Sequence, residues 1–197
     1  HAEAIRVLKK AIKVKPDFVE AYLNLSEILK QTDQRDEAKE CLRNAIQVNP
    51  DVADIHNNLG ALFYADEFFE ESIKCFKKAI EIDPKLADIY NNLGNAFKDI
   101  ELIEEAMINY ETAIEIEPES AELHNNFGSL LSENLFRHND AIRSFKRAIS
   151  IDPYFFPAHL NLGHTFFALH QYAAAIEAYK ATMTINPDLG NILGNLL

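Results

Sequence analysis

Seven histidines and two cysteines are the residues of this chain best suited to nucleophilic, acid–base or metal chemistry. Their spacing denies them that use. The histidines are dispersed, and no His-Glu-x-x-His, phosphate-binding Gly-rich loop, Gly-x-Ser-x-Gly or Cys-x-x-Cys occurs. Cys41 and Cys75 stand 34 residues apart, at equivalent places on the second helices of two successive units of the expected fold. Packed helices lie about 8–10 Å apart, whereas a disulfide needs Cα atoms within about 7 Å. Free thiols are expected. Acids are plentiful, but no pair stands out as a general acid and base. The sequence therefore predicts no catalytic residue, no cofactor and no metal, and a protein that is not an enzyme.

Asparagine recurs instead. Asn24, Asn58, Asn92, Asn126 and Asn161 form one regular column, and Asn57, Asn91 and Asn125 form a partial second column beside it. An asparagine amide offers two donors and an acceptor, so it can pair with a peptide backbone without reading side chains. His164 and Phe167 fall close to the fifth asparagine. Phe167 is the candidate for a stacking contact to a ligand.

These columns need elements that repeat with the same period. Pro16, Pro50, Pro84 and Pro118 follow one another at 34 residues, Pro153 after 35 and Pro187 after 34. Only Pro157 stands outside the series. Small residues recur at Ala38, Ser72, Ala106, Ala141 and Ala175, and glycine at Gly60, Gly94, Gly128 and Gly163, with Ser26 in the first unit. Large residues recur at Leu42, Phe76, Tyr110, Phe145 and Tyr179. Within each period the apolar spacing is helical: Ile89, Leu93, Ala96 and Phe97 make one stripe, and Ile73, Phe76, Ala79 and Ile80 another. Each unit thus predicts two amphipathic helices, ended by the proline, which forces its predecessor out of the helical region. Asp17, Asp51 and Asp188 follow prolines and suit the approach to a new helix.

A mid-helix glycine costs about 1 kcal/mol relative to alanine, so a recurring one predicts close approach of two helices. The histidines at His56, His124 and His159 occupy a packing column that is tyrosine at Tyr22 and Tyr90. They are expected to be half-buried. Tyr154, Phe155, Phe156, Phe166, Phe167 and Tyr172 concentrate aromatic rings near the fifth unit, where most are expected to pack internally.

This period and its aromatic, Leu-Gly, Ala, Phe or Tyr, Ala and Pro columns resemble the tetratricopeptide repeat family over nearly the whole chain. The resemblance implies an all-α, right-handed superhelical solenoid of antiparallel helix pairs. A single domain is expected, with a half-repeat at 1–18 and full repeats at 19–52, 53–86, 87–120, 121–155 and 156–189. A partial repeat or end helix is expected at 190–197, and a one-residue insertion within 132–140. It also implies that the first helix of each unit lines a concave groove, which places the asparagine columns, His164 and Phe167 there. The ladder is similar to the targeting repeats of the protein O-GlcNAc transferases, which hold extended substrates. Asparagine at this place is also common throughout the family, and both readings stand. The carboxylate clamp of the chaperone-binding members needs several groove cations, and only Lys30 and Lys98 are in place here.

Composition narrows the partner. A net charge of −12 disfavours nucleic acid and anionic membrane surfaces. Glu20, Asp54, Asp88 and Glu122 lie in the first turns of first helices, where acids complement the helix dipole and also favour a basic ligand. No apolar run is long enough to insert into a membrane. The expected partner is a protein or peptide, with basic segments favoured. Two alternatives remain: head-to-tail self-assembly into an oligomer or filament through the lone helix at the start and the apolar Ile192–Leu197 at the end, or service as the targeting region of a larger glycosyltransferase-like enzyme. The sequence names neither ligand nor compartment.

Overall fold

The structure is a computed structural model and describes residues 1–187. Asp188 and the expected end segment 190–197 lie outside the described residues. All regular structure among the described residues is α-helical. In order the helices are α1 (Ala2–Val14), α2 (Val19–Gln31), α3 (Arg35–Val48), α4 (Ala53–Ala65), α5 (Phe69–Ile82), α6 (Ala87–Asp99), α7 (Ile103–Ile116), α8 (Ala121–Glu133), α9 (His138–Ile151), α10 (Phe156–Ala168) and α11 (Tyr172–Ile185). They fall into two compact units, the first ending at Ile100 and the second beginning at Glu101.

In the first unit α2 pairs with α3 and α4 with α5, α1 packs on α2, and α6 packs on α5. In the second unit α8 pairs with α9 and α10 with α11, while α7 packs on α8 and α9 on α10. First helices also touch in succession, α2 with α4, α4 with α6, and α8 with α10. One face in each unit is therefore built from first helices.

The prolines act as expected. Lys15, Asn49, Asp83, Glu117, Asp152 and Asn186 each precede one, and each ends a helix outside the helical region, as at Asp83 with φ −135° and ψ 100°. At the helix starts Asp17 and Asp51 stand in the approach, one residue before the cap. Phe18 and Val52, not Asp17 and Asp51, occupy the N-cap positions, and neither provides a side-chain cap. The aspartates that bond locally stand before the proline: Asp83 Oδ1 accepts from the Lys85 amide at 3.0 Å and Asp152 Oδ1 from the Tyr154 amide at 2.9 Å.

Glycine sits where a side chain cannot. A Cβ on Gly60 would lie 2.7 Å from the Phe76 ring, and one on Gly163 would lie 2.5 Å from the Tyr179 ring. Where glycine gives way to Ser26, the facing column holds Leu42 instead of a ring.

The turns inside the hairpins were not legible in the sequence. Asp33, Glu67, Glu101, Phe136 and His170 all adopt positive φ, between 52° and 62°. The next amide then bonds back across the helix end, as from Phe68 to the Phe63 carbonyl at 2.9 Å. Glycine or asparagine would suit this place, and none of the five is either. The inserted residue falls here too: α8 and α9 are joined by four residues, Asn134 to Arg137, against three in the other hairpins.

Candidate functional site: the first-helix face

In the first unit the face carries Asn24 on α2, Asn57 and Asn58 on α4, and Asn91 and Asn92 on α6. Asn24 is exposed, and Asn57, Asn58 and Asn92 are half-buried. Asn91 is only 5% exposed. Asn92 Nδ2 donates to Asn57 Oδ1 at 3.0 Å, tying α6 to α4. The side-chain amides of Asn24 and Asn58 make no hydrogen bond among the described residues.

In the second unit the same columns are knitted together. Asn161 Nδ2 on α10 donates to Asn125 Oδ1 at 3.0 Å and to Ser129 Oγ at 3.2 Å, both on α8. Asn125, 7% exposed, donates in turn to Asn126 Oδ1 at 3.4 Å. Ser132 Oγ lies 3.2 Å from both Thr165 Oγ1 and His138 Nδ1. The ladder is thus two kinds of site. In the second unit its amides serve the joints between helices, while in the first unit two of them make no hydrogen bond among the described residues.

Lys30 and Glu27 neutralise each other on this face. Lys30 Nζ is 2.6 Å from Glu27, and that hydrogen bond holds the Glu27 carboxyl below its usual range. Tyr64 donates to Asp99 at 2.5 Å. Burial and the Asp99 carboxylate both push the Tyr64 hydroxyl pKa far up. Glu20, Asp54, Asp88 and Glu122 are exposed in first turns, as expected. A shallow depression of about 30 Å³ opens beside Glu27, Lys30, Asn58 and Ala61.

His164 and Phe167 both lie on α10 and are exposed, Phe167 by 57%. The His164 ring meets Tyr179 edge-on at 5.6 Å, and desolvation lowers its pKa, with Glu133 opposing. Phe167 meets Tyr172 edge-on at 5.6 Å, and His170 Nδ1 is 2.9 Å from the Tyr172 hydroxyl. The aromatic cluster departs from expectation. Tyr154, Phe167 and Tyr172 are exposed, and Phe155, Phe156 and Phe166 are only half-buried. The core positions of these helices are filled instead by Ala158, Leu162, Ala175 and Tyr179.

Sequence reasoning missed Ser129 and Thr165. The signal was available: Ser129 stands three residues after Asn126, as His164 does after Asn161, so one helical turn places both on the same face. The packing histidines also do more than fill space. Nε2 of His56, His124 and His159 lies 2.8, 2.9 and 3.0 Å from the carbonyls of Pro50, Pro118 and Pro153. Each ring ties a first helix to the turn before it, a bond the tyrosines of the column do not show.

Cys41 and Cys75 are free, and burial raises both thiols to about 11. No group of three His, Cys, Asp or Glu that could hold a metal is found among the described residues. No described helix is long and apolar enough to cross a membrane.

Helix hairpins repeated at this period, with glycine against a ring and proline at each end, define a helical-repeat protein. The chain belongs to the tetratricopeptide repeat family: the family's models match residues 1–62, 69–100, 87–120, 121–155 and 156–189. Among curated proteins it is 38% identical over 52 residues to the small glutamine-rich tetratricopeptide repeat-containing protein 2 of Mycosarcoma maydis. That match takes in 26% of this chain and 15% of that protein's length. Among solved structures it resembles MamA at 19% identity and a TM-score of 0.72, over 85% of this chain and 97% of that one. YrrB, a TPR protein with an unusual peptide-binding site, matches at 22% identity and 0.68, over 92% and 93%. The Cut9–Hcn1 hetero-tetramer of APC/C matches at 16% identity and 0.81, over 96% and 38%. At these identities the likeness is one of fold.

Proposed function

We infer that this chain is a protein-binding scaffold without chemistry of its own, and that an extended segment of a partner lies along the first-helix face of the first unit. The carrying observation is that Asn24 and Asn58 present unpaired amides on one face, one helix apart, while Asn92 and Asn57 hold the neighbouring helices in register. Amides so placed can donate to and accept from a backbone whatever its sequence. Exposed Glu20, Asp54 and Asp88 favour a basic segment. Lys30 is neutralised by Glu27, so a two-cation grip on a terminal carboxylate is not the mode of binding. YrrB's peptide site supports the reading only through the shared fold.

The test uses synthetic extended peptides with blocked ends, graded from acidic to basic, titrated onto the full chain and onto Asn24→Ala/Asn58→Ala. The basic peptides should bind best, and the double variant should weaken them about tenfold with unchanged thermal stability. Equal affinity for both proteins would remove the amides from the site. The head-to-tail alternative turns partly on Ile192–Leu197, outside the described residues, and a solution mass that rises with concentration would favour it.

A further inference from the structure

Negative charge is concentrated in one part of the chain. Residues 101–136 hold nine carboxylates and no lysine or arginine. Helix α7 lies in this stretch. Its inner side is Ala106, Tyr110 and Ala113, all buried. Its outer side carries Glu104, Glu105, Glu111 and Glu115, all exposed. Among the described residues the ion pairs of the second unit use Glu119, Asp140 and Glu177, and none of these four.

At the centre of this outer face is Ile108, 59% exposed. At 100° per residue, Glu104 and Thr112 lie one turn to either side of it, and Glu105, Glu111 and Glu115 flank it. Two columns of the repeat set α7 apart. The place of Ile108 is held elsewhere by Arg6, Glu40, Lys74, Arg143 and Glu177, all charged and exposed. The place of Glu111 is held elsewhere by a cation: Lys9, Arg43, Lys77, Lys146 and Lys180.

In the first unit that cation works between repeats. Lys9 pairs with Glu37 at 3.2 Å, Arg43 lies 5.5 Å from the Phe63 ring centre, and Lys77 lies 5.6 Å from that of Phe97. After Glu111 the ring position holds Leu131 instead. The reversal to Glu111 therefore gives up a packing role, and Ile108 never had one. Glu111 and Glu115, four apart on one helix, also repel. An apolar side chain in a ring of uncompensated carboxylates is matched by one chemistry, cations arranged around an apolar side chain.

We propose that the outer face of α7 docks a basic, amphipathic segment of a partner protein. An apolar side chain of the partner packs on Ile108, and its Lys or Arg residues pair with Glu104, Glu105, Glu111 and Glu115. The surface is distinct from the first-helix face and does not depend on the amides there. Nucleic acid and anionic lipid are repelled by the same charges.

The probe is a synthetic helical peptide of roughly 14 residues with a central leucine and lysines three and four residues to either side. It is titrated onto the full chain at low salt. A second peptide replaces the leucine by glutamine at equal charge. The first peptide should bind, and either Ile108→Ser or the glutamine peptide should weaken binding about tenfold. The variant Glu104→Lys/Glu111→Lys/Glu115→Lys should lose the basic peptide and gain its mirror, in which glutamates replace the lysines. Binding that is kept by Ile108→Ser and lost by Asn24→Ala/Asn58→Ala would place the peptide on the first-helix face and overturn the proposal. Circular dichroism confirms that each variant is folded. No binding by the parent chain overturns the proposal, as does equal binding of both peptides, which marks attraction by charge alone. A solution mass that rises with concentration and is restored to the monomer by Ile108→Ser assigns the face to a second copy of this chain, and overturns the choice of partner.

Discussion

Asn92 donates to Asn57 across two successive first helices, and Asn161 repeats the relationship with Asn125 in the second unit, both at 3.0 Å. One residue of each asparagine column meets one of the other, so the two columns work as a pair. Because these bonds are part-buried, loss of the donor leaves an acceptor without its partner. Asn92→Ala and Asn161→Ala should each lower the unfolding free energy by about 1 kcal/mol, and Asn24→Ala should change it by less than about 0.5 kcal/mol. Urea denaturation followed by circular dichroism checks this. A loss for Asn24→Ala as large as for Asn92→Ala would contradict the division of labour.

Lys39 and Asp66 make a nearly buried ion pair at 2.8 Å, with Lys39 also 6.0 Å from the Phe63 ring centre and 5.9 Å from that of Phe68. Elsewhere the Lys39 column is Ile73, Met107, Ile142 and Ile176. Lys39→Met alone should cost about 1 kcal/mol, because it leaves the half-buried Asp66 carboxylate with Arg35, at 3.0 Å, as its remaining cation, and Lys39→Met/Asp66→Leu should recover most of that. Hydrogen bonds from Lys39 and then Arg35 hold the Asp66 carboxyl below its usual range. Its contribution is therefore complete above about pH 4, the unfolded value, and is lost as pH falls through the lowered native value. Acid titration of stability should show this loss in the parent and not in the double variant.

Phe136 holds a φ of 52° while its side chain is 75% exposed. A bulky residue in the left-handed region is strained, and no buried contact offsets the strain. Phe136→Gly or Phe136→Asn should raise stability by about 0.5–1 kcal/mol, read as a higher melting temperature. A fall on both substitutions would mean that the Phe136 ring, 6.3 Å from His138, holds the longer turn in place.

Ser72 is fully buried on α5, and its hydroxyl has no hydrogen-bond partner. The same column is alanine at Ala38, Ala106, Ala141 and Ala175. Ser72→Ala should stabilise the chain by about 1 kcal/mol in denaturant titration. An unchanged midpoint would point to a water bonded to the hydroxyl.

The sequence by itself determined the period, the helices and the proline-marked ends of the second helices. Proline cannot continue a helix whatever surrounds it, and Gly60 against Phe76 is a steric match that the paired columns of glycine and ring already announce. It also located the asparagine face, because residues 34 apart in a regular repeat occupy equivalent places. Only the tertiary structure decided how those amides are used. Asn24 and Asn92 belong to one column, yet one is unpaired and the other is bonded to Asn57, because a hydrogen bond depends on a neighbour that no single column contains. The same holds for the left-handed turn residues, where the repeat geometry overrides local preference at Phe136, and for Tyr154 and Tyr172, whose apolar rings face solvent because other side chains fill the core. Ile108 is a further case. Its type and column were in the sequence, but its place at the centre of an unpaired acidic face depends on which side of α7 the fold buries.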